Sequence, residues 1–579
     1  MSSPSLVPPL PDRRRDRQPE HVLQRSIRDF ATGNHIDEIA ALLRGMMADP
    51  VQLVRAMGVS GSVERASEIA DVALQLGLPG ELTARLRCLA VESRIVGGSA
   101  PEALRVAEDV VAASGAVPDS VSAATAASRT FGRYFIDTAE GRRYAETLLL
   151  AGGGRIDAEL LAAAAVLSEA VLSEGRLSDG LTLARDAAKG AHALPSPLWR
   201  PYLHLVLADR LTDCGAYEET EDALRMARRA MAGKDGTRTE GAGVAIAMKY
   251  QNARLLSHRG RLTEARDEAQ QALLAAVGVG ARLFVPLLLA LLGQLALWSG
   301  DAEEAASLVA RCRDVLAQAH VYLPSIGYAW TEIQVSAAWQ GPAAALRRMV
   351  TDYGSNTGRS ALFVRQPEAA AWFVRIALRA GDRAWAVTAV ETAQRLADDN
   401  PGMPTLAVAA LHANSLLHRD ADGLVRAASG HRHHQARLTA AEDLASVLND
   451  SAVPASGHGP GDGLSGSGPQ ADDAVALSDA EREVAHLVGK GLTNRQVALR
   501  TGRSQHTVNF HLRNIFRKLG LSSRVELAGR VHTWAAHPPE RHLTRGASAR
   551  GVTDRSGDGS GEGREATACS LGLCSTAAG

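Results

Sequence analysis

Four side chains towards the C-terminal end of the chain could read a DNA sequence. Asn509, Phe510, Arg513 and Arg517 recur at intervals that place them on one side of a helix. Arginine can donate two hydrogen bonds to guanine in the major groove, asparagine can pair with adenine, and an apolar side chain can contact the thymine methyl group. These residue types at this spacing indicate base contacts with double-stranded DNA.

The charge of the surrounding segment favours the same interpretation. Two exposed arginines alone would be no more than an ordinary solvated helix face. However, residues 477–534 contain ten Lys and Arg against four Asp and Glu, a net charge of +6, and a chain charge of −1 then leaves −7 for the rest. Attraction for DNA phosphates would therefore be concentrated in this one segment.

The elements that must position these side chains are four short helices, predicted at about 479–490, 494–501, 505–519 and 523–534. Three helix starts have the spacing of a capping box, in which a hydroxyl and a later Glu or Gln satisfy free backbone N–H groups: Ser478 with Glu481, Thr493 with Gln496, and Ser523 with Glu526. Ser504 can cap the remaining helix. Glycines stand where a left-handed residue ends a helix, namely Gly491, Gly502 and Gly520.

Residues 493–517 have the layout of a helix-turn-helix, in which a short helix and a turn precede a longer second helix. The second helix has an apolar stripe at helical spacing, and we expect this stripe to face the apolar side chains of the first two helices. The stripe is Val508, Leu512, Ile515 and Leu519, and the expected partners are Val484, Leu487, Val488 and Val497.

The same segment resembles the LuxR/GerE-type DNA-binding domain over about 58 residues, through residues such as Glu481, Gly491, Val508, Ile515 and Arg524. The resemblance implies base contacts from Asn509, Phe510 and Arg513, and we add Arg517 from its place on the same face. It implies phosphate contacts from Thr493, Asn494, Ser504, Thr507 and Lys518. It also implies pairing of two domains through the fourth helix, for which we predict Val525, Ala528 and Val531.

Two departures from the family pattern affect what can be transferred. Ala480 stands where the family usually has Arg, so one contact of that arginine is missing. Asn509 and Phe510 stand where the family often has Lys and a smaller apolar residue, so the preferred DNA sequence of other members does not carry over.

Residues 36–449 read as helical repeats. Glycine-containing turns recur at Gly175, Gly215, Gly260, Gly300, Gly341 and Gly381, with intervals of 40 to 45 residues. A period near 40 with two helices per unit predicts an alpha-solenoid of about ten hairpins, because one hairpin cannot bury its apolar face alone. The turns resemble tetratricopeptide repeats, although the units are longer. An ordinary Ala-rich helical bundle with glycines spaced by chance is the alternative.

Two further clusters in this region have alternative interpretations. Five tryptophans could line a ligand groove or fill the core of an Ala-rich array, and core filling is favoured: Trp298, Trp330, Trp339, Trp372 and Trp385. Three histidines could bind a metal, but no Cys or nearby carboxylate completes a ligand set, so a polar turn between helices is expected: His431, His433 and His434.

The fold expected for the whole chain is all-α. It comprises an N-terminal arm at 1–35, disordered or partly helical, the solenoid at 36–449, a flexible Gly/Ser-rich linker at 450–475, the DNA-binding domain at 476–536 and a disordered tail at 537–579. The arrangement resembles the large ATP-binding regulators of the LuxR family, but no phosphate loop of the form G-x-x-x-x-G-K-[ST] occurs.

These observations predict a cytoplasmic, sequence-specific transcriptional regulator, expected to activate, that binds double-stranded DNA as a homodimer and contacts RNA polymerase. A small molecule or protein bound to the solenoid would control it. The alternative is an interaction scaffold whose DNA-binding domain is vestigial or non-specific. No catalytic residues, cofactor, metal or membrane span are predicted, because the longest apolar run, residues 283–298, is shorter than a bilayer requires.

Overall fold

The computed structural model describes residues 63–75, 80–112, 118–152, 157–194, 196, 198–231, 242–318, 326–451, 477–492, 494–501, 505–521 and 524–536. Within these ranges the chain is helical and contains no strand. The arm at 1–35, nearly all of the linker and the tail lie outside the described residues.

The first eleven helices are α1 (Val63–Leu74), α2 (Gly80–Val96), α3 (Ala100–Ala112), α4 (Asp119–Ile136), α5 (Thr138–Ala151), α6 (Ala158–Ser173), α7 (Leu177–Gly190), α8 (Trp199–Asp213), α9 (Tyr217–Met231), α10 (Ala242–His258) and α11 (Leu262–Val279). Ten more complete the repeats: α12 (Val285–Ser299), α13 (Ala302–Gln318), α14 (Ile326–Gln340), α15 (Pro342–Tyr353), α16 (Asn356–Arg365), α17 (Ala369–Arg379), α18 (Arg383–Asp399), α19 (Pro404–His418), α20 (Ala421–Gly430) and α21 (His434–Ser451).

Successive helices pack as hairpins, which confirms the predicted solenoid. Helix α6 packs on α7, α8 on α9, α10 on α11 and α12 on α13. All six glycines that set the repeat period have a positive φ, between +73° and +92°. A residue with a positive φ cannot continue a right-handed helix, so the helix ends next to it. Glycine is favoured at such a position because a side chain would be strained there. The period of about 40 residues therefore marks the positions at which one helix of each repeat ends.

Small and aliphatic side chains form one continuous core through the repeats. One stretch of the described chain, Arg282–Ser299, is long and apolar enough by composition to cross a membrane, but 72% of it is buried inside the fold. It includes the run predicted from the sequence to be a buried helix, and Leu288, Leu289 and Leu295 within it are almost fully buried.

The array also curves until late repeats touch early ones, which the sequence did not predict. The Asn400 side chain, after α18, donates a hydrogen bond to the carbonyl oxygen of Gly175 at 2.7 Å and accepts one from the N–H of Leu177 at 3.0 Å. Thr405 donates to the carbonyl oxygen of Cys214 at 3.0 Å. Residues about 200 positions apart are thereby joined, so the repeats do not contact only their neighbours.

A buried cluster of ion pairs lies where the array closes. Three carboxylates and three guanidinium groups meet there: Glu169, Asp209 and Asp213 with Arg210, Arg254 and Arg365. Arg365, at the end of α16, lies 3.0 Å from Glu169 on α6 and 2.9 Å from Asp213 on α8. Burial alone would raise the pKa of Asp209, but the neighbouring arginines outweigh it and lower that pKa.

The last four helices form the predicted C-terminal domain, hereafter the head. They are α22 (Asp479–Gly489), α23 (Asn494–Thr501), α24 (Gln505–Leu519) and α25 (Arg524–Ala536). Their ends agree with the predicted limits within two residues. Gly491 and Gly520 have φ values of +80° and +62° and end α22 and α24 as expected. Thr493, Gly502, Ser504 and Ser523 lie outside the described residues.

We predict that Arg365→Met lowers the free energy of unfolding of the repeats by about 3–5 kcal/mol, because it leaves buried carboxylates without a counter-charge. Urea denaturation followed by circular dichroism measures the change. Arg185→Met is the matched control, since Arg185 pairs with Glu219 at the exposed surface and should cost no more than about 1 kcal/mol. Equal losses from the two substitutions would contradict a special role for the cluster.

Candidate DNA-binding site

The core of the head fixes how α24 is rotated about its axis. Val508 and Ile515 are fully buried, and Leu512 and Leu519 are only 6% exposed. They share one apolar cluster with residues of the first two head helices, including Val484, Leu487, Val488 and Val497. The predicted inward stripe and its partners are thus confirmed, and the opposite side of α24 is not required for the core.

The four residues predicted to contact bases lie on α24 between these inward positions. The side chains of Asn509, Phe510, Arg513 and Arg517 lie outside the described part of the chain, as does that of Thr507. For these residues the structure provides the helix and its rotation, and their contacts with DNA stay a prediction.

The start of α22 has the predicted capping box. The N–H of Glu481 donates to Ser478 Oγ at 3.3 Å, and the N–H of Ser478 donates to Glu481 Oε2 at 2.8 Å. Lys518 at the end of α24 donates to the same Oε2 at 2.6 Å. The Glu481 side chain is only 5% exposed, so this ion pair ties the end of α24 to the start of α22.

The environment of Glu481 favours its charged form. Covering the carboxylate would by itself raise the pKa, but the hydrogen bonds from Lys518 and from Ser478 outweigh that cost and lower the pKa of Glu481. Lys518, predicted to contact phosphate, therefore also has a partner within the head. One third of its side chain is exposed, which leaves part of it open to solvent.

Asn494, another predicted phosphate contact, begins α23 and is held by Arg524. The Arg524 guanidinium donates to Asn494 Oδ1 at 2.6 Å and also to the carbonyl oxygen of Leu492. Burial lowers the pKa of Arg524 to about 10, while the charge of Glu442 opposes this shift. Arg524 thus joins the first helix of the helix-turn-helix to α25.

Of the residues predicted to mediate pairing on α25, two have described side chains. Val531 is 7% exposed and belongs to the core of the head, where it packs against Gly489. Ala528 is 4% exposed and is also buried. The side chain of Val525 lies outside the described residues.

The head packs on the repeats through α25, which approaches α14 closely. A Cβ atom added at Gly529 would lie 2.5 Å from the carbonyl oxygen of Ala338, which is too close for any other residue without a shift of backbone. Glu526 forms an ion pair with Arg379 of α17. The side chain of Arg524 packs over Gly300, whose added Cβ would lie 2.7 Å from the arginine Nε.

This contact surface was missed in the sequence analysis. We call it the docking face, made of Arg524, Glu526 and Gly529 on the head with Gly300, Ala338 and Arg379 on the repeats. One signal was available, because a glycine in the interior of a helix costs stability and often marks a close approach. Gly529 stands in the middle of α25, and nothing in the resemblance accounts for it.

The histidine and tryptophan clusters agree only in part with their predicted positions. His431 and His433 lie between α20 and α21, as the turn prediction requires, but both are buried. His431 contacts His412, which is hydrogen-bonded to Asp443, and no group able to hold a metal is found among the described residues. Trp330 fills the core as favoured, whereas Trp298 and Trp372 line a cavity, so a ligand groove stays a prediction for these two.

Residues 475–531 match a protein family described as bacterial regulatory proteins, luxR family. This segment is a LuxR-family helix-turn-helix domain, as the sequence predicted. It is 45% identical over 53 residues to the transcriptional regulatory protein SgaR of Hyphomicrobium methylovorum, a match covering 9% of this chain and 25% of SgaR. It is 40% identical over 58 residues to the nitrate/nitrite response regulator protein NarP of Escherichia coli, covering 10% of this chain and 27% of NarP.

The matched segment thus spans about a quarter of the length of these relatives. Part of the chain is similar to a solved structure, that of Rap protein complexed with competence and sporulation factor, at 11% sequence identity and a TM-score of 0.41. That match covers 64% of this chain and 99% of the Rap chain.

We predict that Lys518→Ala lowers the stability of the head by about 1.5–3 kcal/mol at neutral pH, because the covered Glu481 carboxylate loses its charged donor. Because the pKa of Glu481 is lowered on folding, this stability is fully present above its ordinary value of 4.5 and is lost as the pH falls through the folded value. Wild type and variant should therefore converge in acid.

Hydrogen exchange of head peptides within the full chain measures this difference. Lys490→Ala is the control, because Lys490 is an exposed lysine at the end of α22. A loss of protection in Lys518→Ala that does not depend on pH would contradict the assigned ion pair.

Proposed function

We propose that the chain is a cytoplasmic, sequence-specific DNA-binding transcriptional regulator, expected to activate, whose repeats control access to its head. The free head pairs with a second copy on double-stranded DNA and contacts RNA polymerase. An effector, a small molecule or a protein, acts on the repeats and shifts the balance between docked and free heads. The observation that carries this proposal is that α25, which the family resemblance assigns to pairing of two heads, packs on the repeats.

Two features of the docking face support a competition between docking on the repeats and binding to DNA. Helix α25, which the family resemblance assigns to pairing, packs on α14. Asn494, assigned to phosphate, lines the cavity between head and repeats and is hydrogen-bonded to Arg524. The docked side of α25 is covered by the repeats, and we infer that pairing through that side requires the head to leave them.

The experiment that tests specificity is selection of binding sites from random duplex DNA. A regulator should enrich a symmetric motif, because two heads related by a two-fold axis read two half-sites. Uniform, strongly salt-dependent binding to all duplexes would instead support the scaffold alternative.

We expect Arg513→Ala to cost about 1–3 kcal/mol of binding free energy and to relax the preference at one base position of that motif, since arginine supplies directional bonds to a base. Fluorescence anisotropy with the selected site and with single-base variants measures both effects. Arg482→Ala on α22 removes the same charge away from α24 and should leave the base preference unchanged. Equal loss on specific and random duplexes would remove Arg513 from base recognition.

We expect Gly529→Ala to raise the affinity for DNA by about fivefold or more, because the added methyl group meets the Ala338 carbonyl oxygen and frees the head. Alanine also favours helix over glycine, so α25 itself is not weakened. Gly278→Ala on α11 is the matched control, since a Cβ atom there meets nothing within 4 Å.

A second pair of variants tests docking from the repeat side. Arg379→Glu places two carboxylates together at Glu526 and should raise DNA affinity to a similar extent. Adding Glu526→Arg restores an ion pair of reversed polarity and should return the affinity towards wild type. If neither Gly529→Ala nor Arg379→Glu changes DNA affinity, the docked head does not limit binding.

A further inference from the structure

A cavity of about 560 Å³ lies between the repeats and the head. The repeats contribute Trp298, Glu368, Trp372 and Glu442 among others, and the head contributes Asn494, Arg524 and Glu526. Small-molecule sites commonly have this size and combine aromatic walls with a few polar groups. The proposed function does not yet assign a ligand to it.

Glu368 is a buried carboxylate without a counter-charge. It is 3% exposed, and neither carboxylate oxygen has a hydrogen-bond partner among the described residues. One titratable neighbour is His433, whose Nδ1 lies 3.8 Å from Glu368 Oε2. His433 Nδ1 accepts a hydrogen bond from the N–H of Ala436, so this nitrogen carries no proton. Burial also lowers the pKa of His433, which favours the neutral imidazole. His433 therefore supplies no positive charge to Glu368.

Two cations of the repeats that line the cavity are paired with other carboxylates, and Arg524 of the head is hydrogen-bonded to neutral groups of the head. Arg266 pairs with Glu304 at 2.9 Å, and Arg375 forms two hydrogen bonds with Asp443, at 2.9 and 2.6 Å. An unpaired buried carboxylate costs several kcal/mol, so a cation that enters the cavity from outside the chain would stabilise Glu368.

Glu442 is the second carboxylate on the cavity without a salt bridge to any described residue. Its side chain is exposed at the cavity, and desolvation by the neighbouring protein atoms raises its pKa to about 7. The charges of Asp443 and of Glu526 on the head also raise it, whereas Arg375 and Arg524 lower it. Across the docking face, Glu442 on the repeats is repelled by Glu526 of the head and attracted by Arg524 of the head.

The walls fit an organic cation better than a bare metal ion. Trp372 follows Glu368 by four positions, so both side chains lie on the same side at the start of α17. Trp298 borders the cavity from α12. Tryptophan rings attract ammonium and guanidinium groups, and two carboxylates with two indole rings provide too few oxygen ligands for calcium or magnesium.

We propose that this cavity binds a small organic cation bearing an ammonium or guanidinium group, with Glu368 as its counter-ion, and that the bound cation holds the head in the docked position. The second part rests on the proposed function. It follows because the ligand touches both head and repeats and offsets the repulsion between Glu442 and Glu526, so it favours the docked head over the free one.

The experiment is calorimetric titration of the full chain with agmatine and with putrescine, and with N-acetylputrescine and succinate as probes with fewer or no positive charges. We expect saturable binding of the first two and none of succinate. Glu368→Gln should weaken binding about tenfold or more, since it removes the buried counter-charge. Glu303→Gln is the matched control, because Glu303 is an exposed glutamate on α13 and should leave binding unchanged.

The pH dependence provides a second readout. A cation in the cavity favours the ionised form of Glu442, so affinity should rise between about pH 6 and about pH 8 as this carboxyl loses its proton. Glu442→Gln should abolish that rise while it leaves binding measurable through Glu368. Loss of the pH dependence would support the assignment, whereas an unchanged slope in Glu442→Gln would overturn the role of Glu442.

The two parts of the proposal can fail separately. Calorimetry requires no DNA, so binding would stand even if the chain had no DNA-binding function. No saturable heat with either amine, or equal binding by Glu368→Gln, would overturn the site. Saturating agmatine should also weaken DNA binding of the wild type but not of Gly529→Ala. If agmatine binds and leaves wild-type DNA affinity unchanged, the coupling to docking is wrong.

Discussion

The closure of the repeat array depends on a buried cluster of charges. Glu169, Asp209 and Asp213 lie in early repeats, and Arg365 lies on a helix about 150 to 200 residues later in the chain. Charges buried in this way stabilise a structure only if every partner is present, because each one left alone costs more than the pair contributes. The cluster thus favours the curvature that brings Arg365 to these carboxylates, because another curvature would leave buried charges unpaired.

That curvature in turn decides where the head can dock. The docking face takes groups from three helices of the repeats, since Gly300 ends α12, Ala338 lies in α14 and Arg379 ends α17. A different curvature would separate them, and the close approach of Gly529 to Ala338 would be lost. The geometry of the docking face therefore depends on the ion-pair cluster through the curvature of the array, although no residue belongs to both.

The sequence predicted the local structure and missed the long-range contacts, for a physical reason. Helix ends at Gly175 or Gly491, the capping box at Ser478 and the inward stripe of α24 all depend on residues within one or two helical turns, and these patterns are periodic. The pairing of Arg365 with Glu169, and of Arg379 with Glu526, joins residues more than 140 positions apart. Such partners are chosen by the accumulated curvature of the array, which no local pattern records.

The opposite charges of the two parts connect docking with DNA binding. The head carries +6 and the rest of the chain −7, and the ion pair described between them joins an acid of the head, Glu526, to a base of the repeats, Arg379. Added salt weakens DNA binding steeply through counterion release, and it screens the attraction between head and repeats as well. The contact of Gly529 with Ala338 carries no charge and is insensitive to salt. The docked head therefore keeps a contact that added salt does not weaken. A ligand in the cavity or a steric change at Gly529 shifts the balance between docked and free heads more selectively than ionic strength does.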